Sequence, residues 1–574
     1  MNTRSPELRL TVARAALRSA VSADETAAVH ALVASFDWPD GLRVRTGKRA
    51  RGFVAGVRGA RRHYGGIDRF LDEFGLSTPE GVALMCLAEA LLRIPDAATA
   101  DRLIADRIGS ADWARHLGSS DNWFVNASTW ALMLTGQVVD ADVVPRASGA
   151  GGLPGLHDLV ARLGEPVIRQ AVRHAMRVLG RQFVMGRTIE EALGRSHDVE
   201  GRVYRHSFDM LGEAARTAAD AERYFNAYAA AIEAIGQDPA ATGDPRTAPG
   251  ISVKLSALHP RFALVQRDTC LPRLVERLRD LALAARRHGI GLTVDAEEAD
   301  RLDISLDIVA AVRGDPALAG WSGFGLAVQA YQKRAPGVID WLAALAGAVG
   351  EPIAVRLVKG AYWDSEIKWA QERGLAEYPV YTRKASTDLA WLVGAHKLLA
   401  ARGRLYPQFA THNAHSVAAV IEMAGGVSDG SFEFQRLHGM GEPLYHQIVG
   451  LDGAAGEGSG YPCRVYAPVG SHEDLLPYLV RRLLENGANS SFVHRLRDDA
   501  ADIDAIVADP VQQVAVLESV PHPKIVLPGD LYRPLRGNST GIDFGDPLAL
   551  ADLAAGLAGL SDTEWHAGPL IDGR

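Results

Sequence analysis

Short apolar segments that fit β-strands alternate with helical segments from residue 251 onward. Repeated strand–helix units in this number predict an α/β fold, a (β/α)8 barrel similar to a TIM barrel. A doubly wound sheet is the alternative, but no G-x-G-x-x-G follows a predicted strand and also opens a helix. The predicted strands are Ile251–Leu258, Gly291–Glu297, Gly323–Ala330, Ile353–Lys359, Gln408–Asn413, Phe432–Leu437 and Arg464–Pro468, with Asn489–Val493 as a weaker eighth.

The region before these units has a composition that predicts helices. Residues 1–144 are dense in alanine and leucine, and apolar residues recur at helical spacing, as in Pro79–Ile94. After a Pro/Gly-rich linker, Gly164–Gly186 and Thr188–Ile235 predict long amphipathic helices. The predicted organisation is an all-helical N-terminal region at 1–144, a linker and entry helices at 145–250, the barrel at 251–525 and a linker-like tail at 526–574.

Composition narrows the function classes. A net charge of −8 over 574 residues argues against a general nucleic-acid binder, so we expect no nucleic-acid partner. Three cysteines fit neither a metal motif nor a disulfide framework, which favours the cytoplasm. We expect no signal peptide and no membrane span, because no long apolar run is visible. The basic stretch Arg43–Arg62 suggests either nucleic-acid or acidic-lipid binding, or a solvated or inter-domain face, and we favour the face.

The stretch Pro352–Trp363 combines a buried strand with two cations. Its apolar run contains Arg356 and ends at Lys359, and a cation in such a strand is costly unless an acceptor meets it. Gly360 and Ala361 follow directly, and small residues let a flat ligand approach the backbone. The sequence therefore predicts a ligand site at the C-terminal end of this strand.

Most of the other predicted strands also carry polar residues within them or just past their ends. In a barrel such residues converge on one face, which predicts an active site there. The alternative is a polar barrel interior whose groups satisfy one another. The residues are Lys254, Asp295, Glu297, Gln329, Arg356, Lys359, Thr411, His412, Asn413, Gln435, His438 and Tyr466.

The helix after the seventh strand places Tyr478, Arg481, Arg482 and Glu485 on one face. Adjacent arginines suit a carboxylate or phosphate, because guanidinium donors are planar and forked. A surface face of salt bridges is an equally good interpretation of this spacing.

Two other chemistries are weighed for the same site. Lys359 at a strand end could form a Schiff base, as in a TIM-barrel lyase. His412 and His415 form an H-x-x-H pair, but no carboxylate partner lies nearby in sequence, so we predict no metal.

Eight long motifs of the chain are VKLSALHPRF, VDAEEADRLD, AVQAYQKRA, VRLVKGAYWD, FATHNAHS, FQRLHGMGEPLY, RVYAPVG and YLVRRLLENGANSSFV. Together they resemble proline dehydrogenase, specifically the proline dehydrogenase half of the proline utilization A (PutA)-type bifunctional proteins. This resemblance implies FAD on the C-terminal face of the barrel and hydride transfer from C5 of L-proline to the flavin N5. The product would be Δ1-pyrroline-5-carboxylate, the first step of proline catabolism to glutamate, and the electrons would pass to a quinone. It also implies peripheral association with the inner membrane.

The resemblance also implies residue roles. The proline carboxylate would be held by Lys254, Arg481 and Arg482, with Asp295 beside Lys254. The proline ring would contact Tyr362, Leu437, Tyr466 and Tyr478, and Arg356 would approach the flavin N5 edge. The other FAD contacts would come from Gln329, Lys359, Gly360, Ala361, Trp363, Thr411, His412, Asn413, Glu485 and Phe492.

Two departures from the larger family members are expected. We see no counterpart of their ribbon-helix-helix DNA-binding domain, and no dinucleotide fingerprint or catalytic cysteine of their aldehyde dehydrogenase domain. We therefore expect an aldehyde dehydrogenase as a missing domain or a separate partner, and no NAD-dependent activity in this chain. A regulatory module with an inert barrel, in which the basic N-terminal region contacts DNA or membrane, is the alternative outside enzymes.

Overall fold

The computed structural model of the protein describes residues 6–60, 183–198, 201–426, 428–451, 460–470, 501–560, 564 and 566–569. Its first part consists of helices, as the composition predicts. They are α1 (Pro6–Ser19), α2 (Glu25–Ser35) and α3 (Asp40–Ala60).

Strands and helices then alternate from residue 189 onward. In chain order they are α4 (Ile189–Ser196), β1 (Arg205–Met210), α5 (Ala218–Gly236), β2 (Gly250–Val253), α6 (Leu255–Leu258), α7 (Arg267–Arg287), β3 (Gly291–Val294), α8 (Leu302–Arg313), β4 (Phe324–Gln329), α9 (Ala335–Val349), β5 (Ile353–Val358), α10 (Trp363–Arg373), α11 (Lys384–Ala400), β6 (Leu405–Ala410), α12 (Ala414–Met423), β7 (Glu433–Leu437), α13 (Glu442–Val449), β8 (Cys463–Val469), α14 (Ile503–Ile506), α15 (Pro510–Ala515) and α16 (Pro547–Ala558).

The strands form one closed barrel in sequence order. Each strand pairs in parallel with the next, and β8 pairs with β1 through a register that runs from Arg205–Arg464 to Met210–Val469. Parallel strands need crossover connections, and the helices between them supply these while covering the outer face of the barrel. The predicted (β/α)8 barrel with a helical N-terminal region is thus confirmed.

The beginning of the barrel differs from the prediction. Strand β1 lies inside the segment 188–235 that the sequence predicts as helical, so the barrel begins before residue 251. Helix α5, which follows it, agrees with the helical prediction and ends one residue beyond the segment. The first predicted strand, Ile251–Leu258, is longer than the observed strand β2, which ends at Val253 because helix α6 begins after Lys254. The weak eighth strand at 489–493 lies outside the described residues, and the barrel closes without it.

The N-terminal helices pack on the outside of the barrel. Leu17 of α1 is fully buried and lies against Gly337 of α9. The guanidinium groups of Arg14 and Arg18 bind the buried carboxylate of Asp303 at 2.8 Å. Helix α1 is therefore attached to the barrel by both apolar and charged contacts.

The basic stretch that begins at Arg43 lies largely on α3. Arg45 and Arg49 bind the carboxylate of Glu422 in α12 at 2.9 and 2.7 Å. Arg51 contacts Asp504 at 2.6 Å. These contacts support the interpretation of the described part as a face between elements.

The C-terminal segment also packs on the barrel helices. Tyr378 donates to the Val526 carbonyl oxygen at 2.6 Å, and Asn538 donates to the Gln371 carbonyl oxygen at 3.2 Å. Among the helices that the structure describes, none has the length and apolar composition needed to cross a membrane.

Candidate active site

Alternate residues of each strand point into the barrel, and many of these inward residues are polar. On β1 they are Arg205, Ser207 and Asp209, whose side chains all contact groups from other strands. A parallel barrel gathers the residues at its strand ends at one mouth. Two polar layers result, one at the C-terminal mouth and one below it.

The mouth layer is centred on Lys254, which follows β2. Its ammonium Nζ lies 2.6 Å from Asp209 Oδ1, 3.1 Å from Asp295 Oδ2 and 3.2 Å from the Tyr466 hydroxyl. The Tyr466 hydroxyl in turn donates to Asp295 Oδ2 at 2.7 Å. Three predicted site residues are thus joined with Asp209 in one hydrogen-bonded cluster.

Arg356 on β5 extends this cluster toward the barrel interior. Nη1 donates to Asp295 Oδ1 at 2.7 Å and to the Ser252 hydroxyl at 3.0 Å. Nη2 donates to the Ser207 hydroxyl at 3.1 Å, and Nε donates to Gln435 Oε1 at 2.7 Å. The acceptors that the sequence requires for a buried cation are present, and they fix the guanidinium in one orientation.

Burial and neighbouring charges shift the pKa values of three groups in the mouth layer. Burial raises the pKa of Asp209, although the Lys254 ammonium opposes this shift. Burial acts against the Lys254 ammonium, but Asp209, Tyr466 and Asp295 outweigh it and raise the pKa of Lys254 well above its ordinary value. Burial, with the nearby carboxylates Asp209 and Asp295, also raises the pKa of Tyr466 well above its usual range. The site therefore offers a permanent ammonium and a neutral phenol to a ligand.

Asp209 is the site residue that sequence reasoning missed. It is completely buried, and its carboxylate makes the shortest of the Lys254 contacts. The strand that carries Asp209 is not among the strands predicted from the sequence. In the segment Arg205–Met210 every second residue is polar, which is the period-two pattern of a strand with one polar face.

A second group of predicted residues lies at the end of β5. The Lys359 ammonium contacts the Asp388 carboxylate from α11, and Lys384 contacts the other oxygen of the same carboxylate. Burial lowers the pKa of Lys359 to about 8, although Asp388 opposes this shift. Burial also acts to raise the pKa of Asp388, but the two ammonium groups outweigh it and hold that pKa at about 2.

The segment 360–361 next to Lys359 exposes its backbone at the mouth. Gly360 has φ +152°, and a Cβ there would lie 2.4 Å from the ring of Tyr331, so only glycine fits. The Ala361 backbone N–H donates to Gln329 Oε1 at 3.2 Å, and Gln329 Nε2 donates to the Glu297 carbonyl oxygen at 2.7 Å. Gln329 thus connects this segment with the loop that carries Asp295.

Other predicted residues at β6 and β7 already have local partners. The Thr411 hydroxyl accepts from the Asn413 backbone N–H at 3.1 Å, and the Asn413 side chain caps α12 by accepting from Ser416. His412 Nε2 accepts from the backbone N–H of Leu437 at 3.2 Å. These bonds orient the residues at the mouth and leave Asn413 committed to the helix terminus.

Near the start of α10, the Trp363 indole N–H donates to the Tyr381 carbonyl oxygen at 2.8 Å. Tyr362, the residue before it, is half-buried. The remaining predicted residues lie outside the described residues, namely Tyr478, Arg481, Arg482, Glu485 and Phe492.

The lower polar layer is a buried ion cluster centred on Glu433. Glu433 Oε1 accepts from Arg464 Nε at 2.7 Å and from Gln408 and Gln435 at 2.9 Å each. Glu433 Oε2 accepts from Arg464 at 3.2 Å and from Arg205 at 3.1 Å. Burial acts to raise the pKa of Glu433, but the two arginines outweigh it and hold that pKa below its usual value.

His412 of the H-x-x-H pair follows β6, and His415 lies in α12. The described part of the chain contains no group of three or more histidine, cysteine or acidic side chains arranged to hold a metal ion. His415 is buried in α12, and burial lowers its pKa to about 4.

Two protein-family models match the sequence. The model described as "Proline dehydrogenase" matches residues 192–495, which is more than half of the chain. A model described as "DNA-binding domain of Proline dehydrogenase" matches residues 66–183. This second match counts against the expectation of a chain without a nucleic-acid-binding region, and it falls almost entirely on residues outside the described part.

Similar proteins were also found by sequence and by structure. "Bifunctional protein PutA" of Klebsiella aerogenes is 49% identical over 98% of this chain and 43% of that protein. "Proline dehydrogenase" of Deinococcus radiodurans is 27% identical over 57% of this chain and 93% of that protein. A crystal structure of a Bradyrhizobium japonicum Proline Utilization A mutant matches with a TM-score of 0.73 and 49% identity, over 94% of this chain and 53% of that one.

The chain spans less than half the length of the bifunctional relative from Klebsiella aerogenes and about half of the solved chain. Within the chain itself, the family model covers all eight strands of the barrel, β1 to β8. The chain therefore belongs to the proline dehydrogenase family.

Proposed function

We propose that this chain oxidises L-proline to Δ1-pyrroline-5-carboxylate with FAD as its cofactor and a quinone as electron acceptor. The observation that carries the proposal is the cluster of Lys254, Asp209, Asp295 and Tyr466 at the barrel mouth of a proline dehydrogenase family member. A permanent ammonium beside a neutral phenol suits a small amino acid that presents a carboxylate.

The residues at the end of β5 fit a flavin dinucleotide. The exposed backbone of Gly360 and Ala361 gives a flat group close access, and the Lys359 ammonium beside it suits a phosphate. The proposed cofactor residues are Gln329, Arg356, Lys359, Gly360, Ala361, Trp363, Thr411, His412, Asn413, Glu485 and Phe492. Asn413 is the weakest of them, because its side chain caps α12.

When bound, the flavin supplies the acceptor for the hydride that leaves C5 of proline. Lys254 holds the substrate carboxylate, with Arg481 and Arg482 as the other proposed cations. Tyr466 lies over the Arg356 guanidinium at 5.1 Å from its ring centroid, and its ring offers a wall for the proline ring. If proline binds with a neutral amine, the nitrogen lone pair forms the C=N bond as the hydride departs. The resulting protonated imine then releases its N–H proton to solvent, so no protein base is needed.

The visible spectrum of the purified protein before and after anaerobic addition of L-proline tests this proposal. We expect flavin absorbance bands that bleach with L-proline but not with D-proline. The Lys254→Met variant should keep the bands and lose most of the bleaching. A colourless protein that neither binds added FAD nor responds to L-proline would overturn the proposal.

The later fate of the product and the electrons belongs to the same proposal. We propose an aldehyde dehydrogenase, outside this sequence or as a separate partner, that oxidises the product to glutamate, together with a cytoplasmic location and peripheral contact with the inner membrane. The word "Bifunctional" in the names of relatives that are about twice as long supports the dehydrogenase partner. NADH formation from pyrroline-5-carboxylate by this chain alone would contradict it.

Two other functions have specific support. The lowered pKa of Lys359 favours a Schiff-base lyase, and borohydride trapping of a substrate on Lys359 in a flavin-free protein would establish one. The second family model favours DNA binding by residues 66–183. A mobility shift of duplex DNA by the full chain, weakening with salt, would establish it, and no shift at low salt would exclude it.

A further inference from the structure

The loop between β3 and α8 carries Asp295 into the barrel mouth, and buried polar groups from other elements hold its main chain. Gln329 of β4 donates to the Glu297 carbonyl oxygen at 2.7 Å. Arg334, just before α9, donates to the Ala299 carbonyl oxygen. The position of the loop therefore depends on side chains that reach it from outside.

A further contact comes from Glu366, in the first turn of α10. Its Oε1 accepts the Ala299 backbone N–H at 2.7 Å, and the residue is 5% exposed. Burial raises the pKa of Glu366 to about 7, while the Ala299 N–H opposes this shift. A buried carboxyl costs free energy that an apolar side chain of similar size does not, so packing alone does not explain a glutamate here.

The place of Glu366 in the chain connects two parts of the site. Helix α10 begins at Trp363, immediately after the segment that carries Lys359, Gly360 and Ala361. The Glu366–Ala299 bond therefore joins the helix that follows the cofactor segment to the loop that carries Asp295. The bond thus links the chain that follows β5 to the loop that follows β3.

We infer that Glu366 is a positioning residue that fixes the Asp295 loop relative to the segment 359–361. The inference rests on the proposed function, in which Asp295 lies on the substrate side and 359–361 on the cofactor side. A displacement of about 1 Å between reacting partners costs on the order of a hundredfold in rate. Glu366 acts through the loop and touches neither proposed ligand itself.

Three variants test the inference by activity. Glu366→Ala removes the acceptor, Glu366→Gln keeps an oxygen at the same place, and Asp364→Ala removes an exposed carboxylate from the same helical turn. We expect kcat/KM for L-proline to fall about ten- to a hundredfold in Glu366→Ala, with most of the loss in kcat. Glu366→Gln should restore most of it, and Asp364→Ala should match the wild type.

A structural role alone would give a different pattern. Glu366→Ala would then lower the unfolding temperature and leave kcat and KM of the folded enzyme within about twofold of the wild type. That result would overturn the inference. So would a Glu366→Gln variant that loses as much kcat as Glu366→Ala.

Amide hydrogen exchange tests the same contact without activity. Peptides that cover residues 296–301 should exchange faster in Glu366→Ala than in the wild type, while Asp364→Ala leaves them unchanged. Unchanged exchange in Glu366→Ala would overturn the inference. If the wild type does not oxidise L-proline, the proposed function fails, and this exchange measurement alone decides whether Glu366 holds the loop.

Discussion

The two polar layers inside the barrel differ in how far their central charged groups are enclosed. In the lower layer both carboxylate oxygens of Glu433 accept from arginine, and the residue is fully buried. In the mouth layer Asp295 and Lys254 remain 10% and 9% exposed, and Asp209 Oδ2 has no donor among the described residues. A fully enclosed cluster supports the fold, whereas a cluster at an opening can be reached by a ligand.

This contrast separates the two interpretations of the polar strand ends. The lower layer is a polar interior whose groups bond to one another. The sequence does not distinguish the residues of this layer from those at the mouth. If the contrast is correct, changes in the lower layer should mainly cost stability and changes at the mouth should mainly cost activity. Four predictions follow from it, beginning with the largest effect.

Replacing Glu433 by leucine should cost the most free energy. The change leaves the buried guanidinium groups of Arg464 and Arg205 without their carboxylate, and an uncompensated buried charge costs about 3–5 kcal/mol. Denaturant unfolding of the purified protein measures it. Glu372→Leu is the control, since Glu372 lies in an exposed pair worth less than about 1 kcal/mol. A Glu433→Leu protein as stable as Glu372→Leu would contradict the predicted difference between the two layers.

Lys254→Met should have the largest effect on activity. Loss of the ammonium removes the proposed partner of the substrate carboxylate, so kcat/KM for L-proline should fall about a hundredfold or more. Stability should fall less than in Glu433→Leu, because Asp209 can take up a proton at the mouth. Steady-state kinetics measures the effect, with Lys397→Met on the outer surface as the control. Equal kcat/KM in the two variants would contradict the site.

Glu297 should give the mouth a pH dependence that the lower layer lacks. Burial raises the pKa of Glu297 from 4.5 to about 7, against the attraction of Arg301. The folded state then binds more protons than the unfolded state, so this group should lower the free energy of unfolding by about 2 kcal/mol as the pH rises from about 5 to 7. Glu433 has a lowered pKa, and its contribution is lost only as the pH falls through that pKa.

Unfolding of the wild type and of Glu297→Gln at several pH values between about 5 and 8 measures this slope. The variant should have a flatter dependence than the wild type. Glu372→Gln should keep the wild-type slope. Parallel curves for the wild type and Glu297→Gln would show that the carboxyl does not titrate in this window.

Asp209→Asn should have the smallest effect of the four. The amide keeps the shape of the side chain but loses the charge that pairs with Lys254, which should lower kcat/KM about tenfold. Because a carboxylate that raises the Lys254 pKa is gone, the alkaline limb of the pH–rate profile should move to lower pH. Asp340→Asn is the surface control. An alkaline limb at the same pH as in the wild type would show that Asp209 does not raise the Lys254 pKa.

Much of the fold and part of the site followed from sequence because the relevant signals are local. Strands β2 to β8 contain or follow apolar runs, and the polar residues at their ends marked Lys254, Asp295, Arg356 and Tyr466. The convergence of these four side chains needs only the closure of a parallel barrel. Their hydrogen bonds confirm that the four residues lie together.

The rest depended on contacts that no local pattern contains. Strand β1 alternates polar inward residues with the outward-facing His206 and Phe208, so it lacked the apolar run that marked the other strands. Because this strand is not predicted from the sequence, Asp209 is not identified as a site residue either. The partner of Lys359 is Asp388, which comes from a helix that packs beside the strand end only in the folded barrel.

The pairing of β1 with β8 also affects how the chain folds during its synthesis. These strands are separated by more than two hundred residues, so the ribosome must work for on the order of ten seconds or more after β1 emerges before its partner exists. During that interval one edge of β1 exposes unpaired N–H and C=O groups. Newly synthesised chains should therefore depend on chaperones more strongly than the finished barrel does.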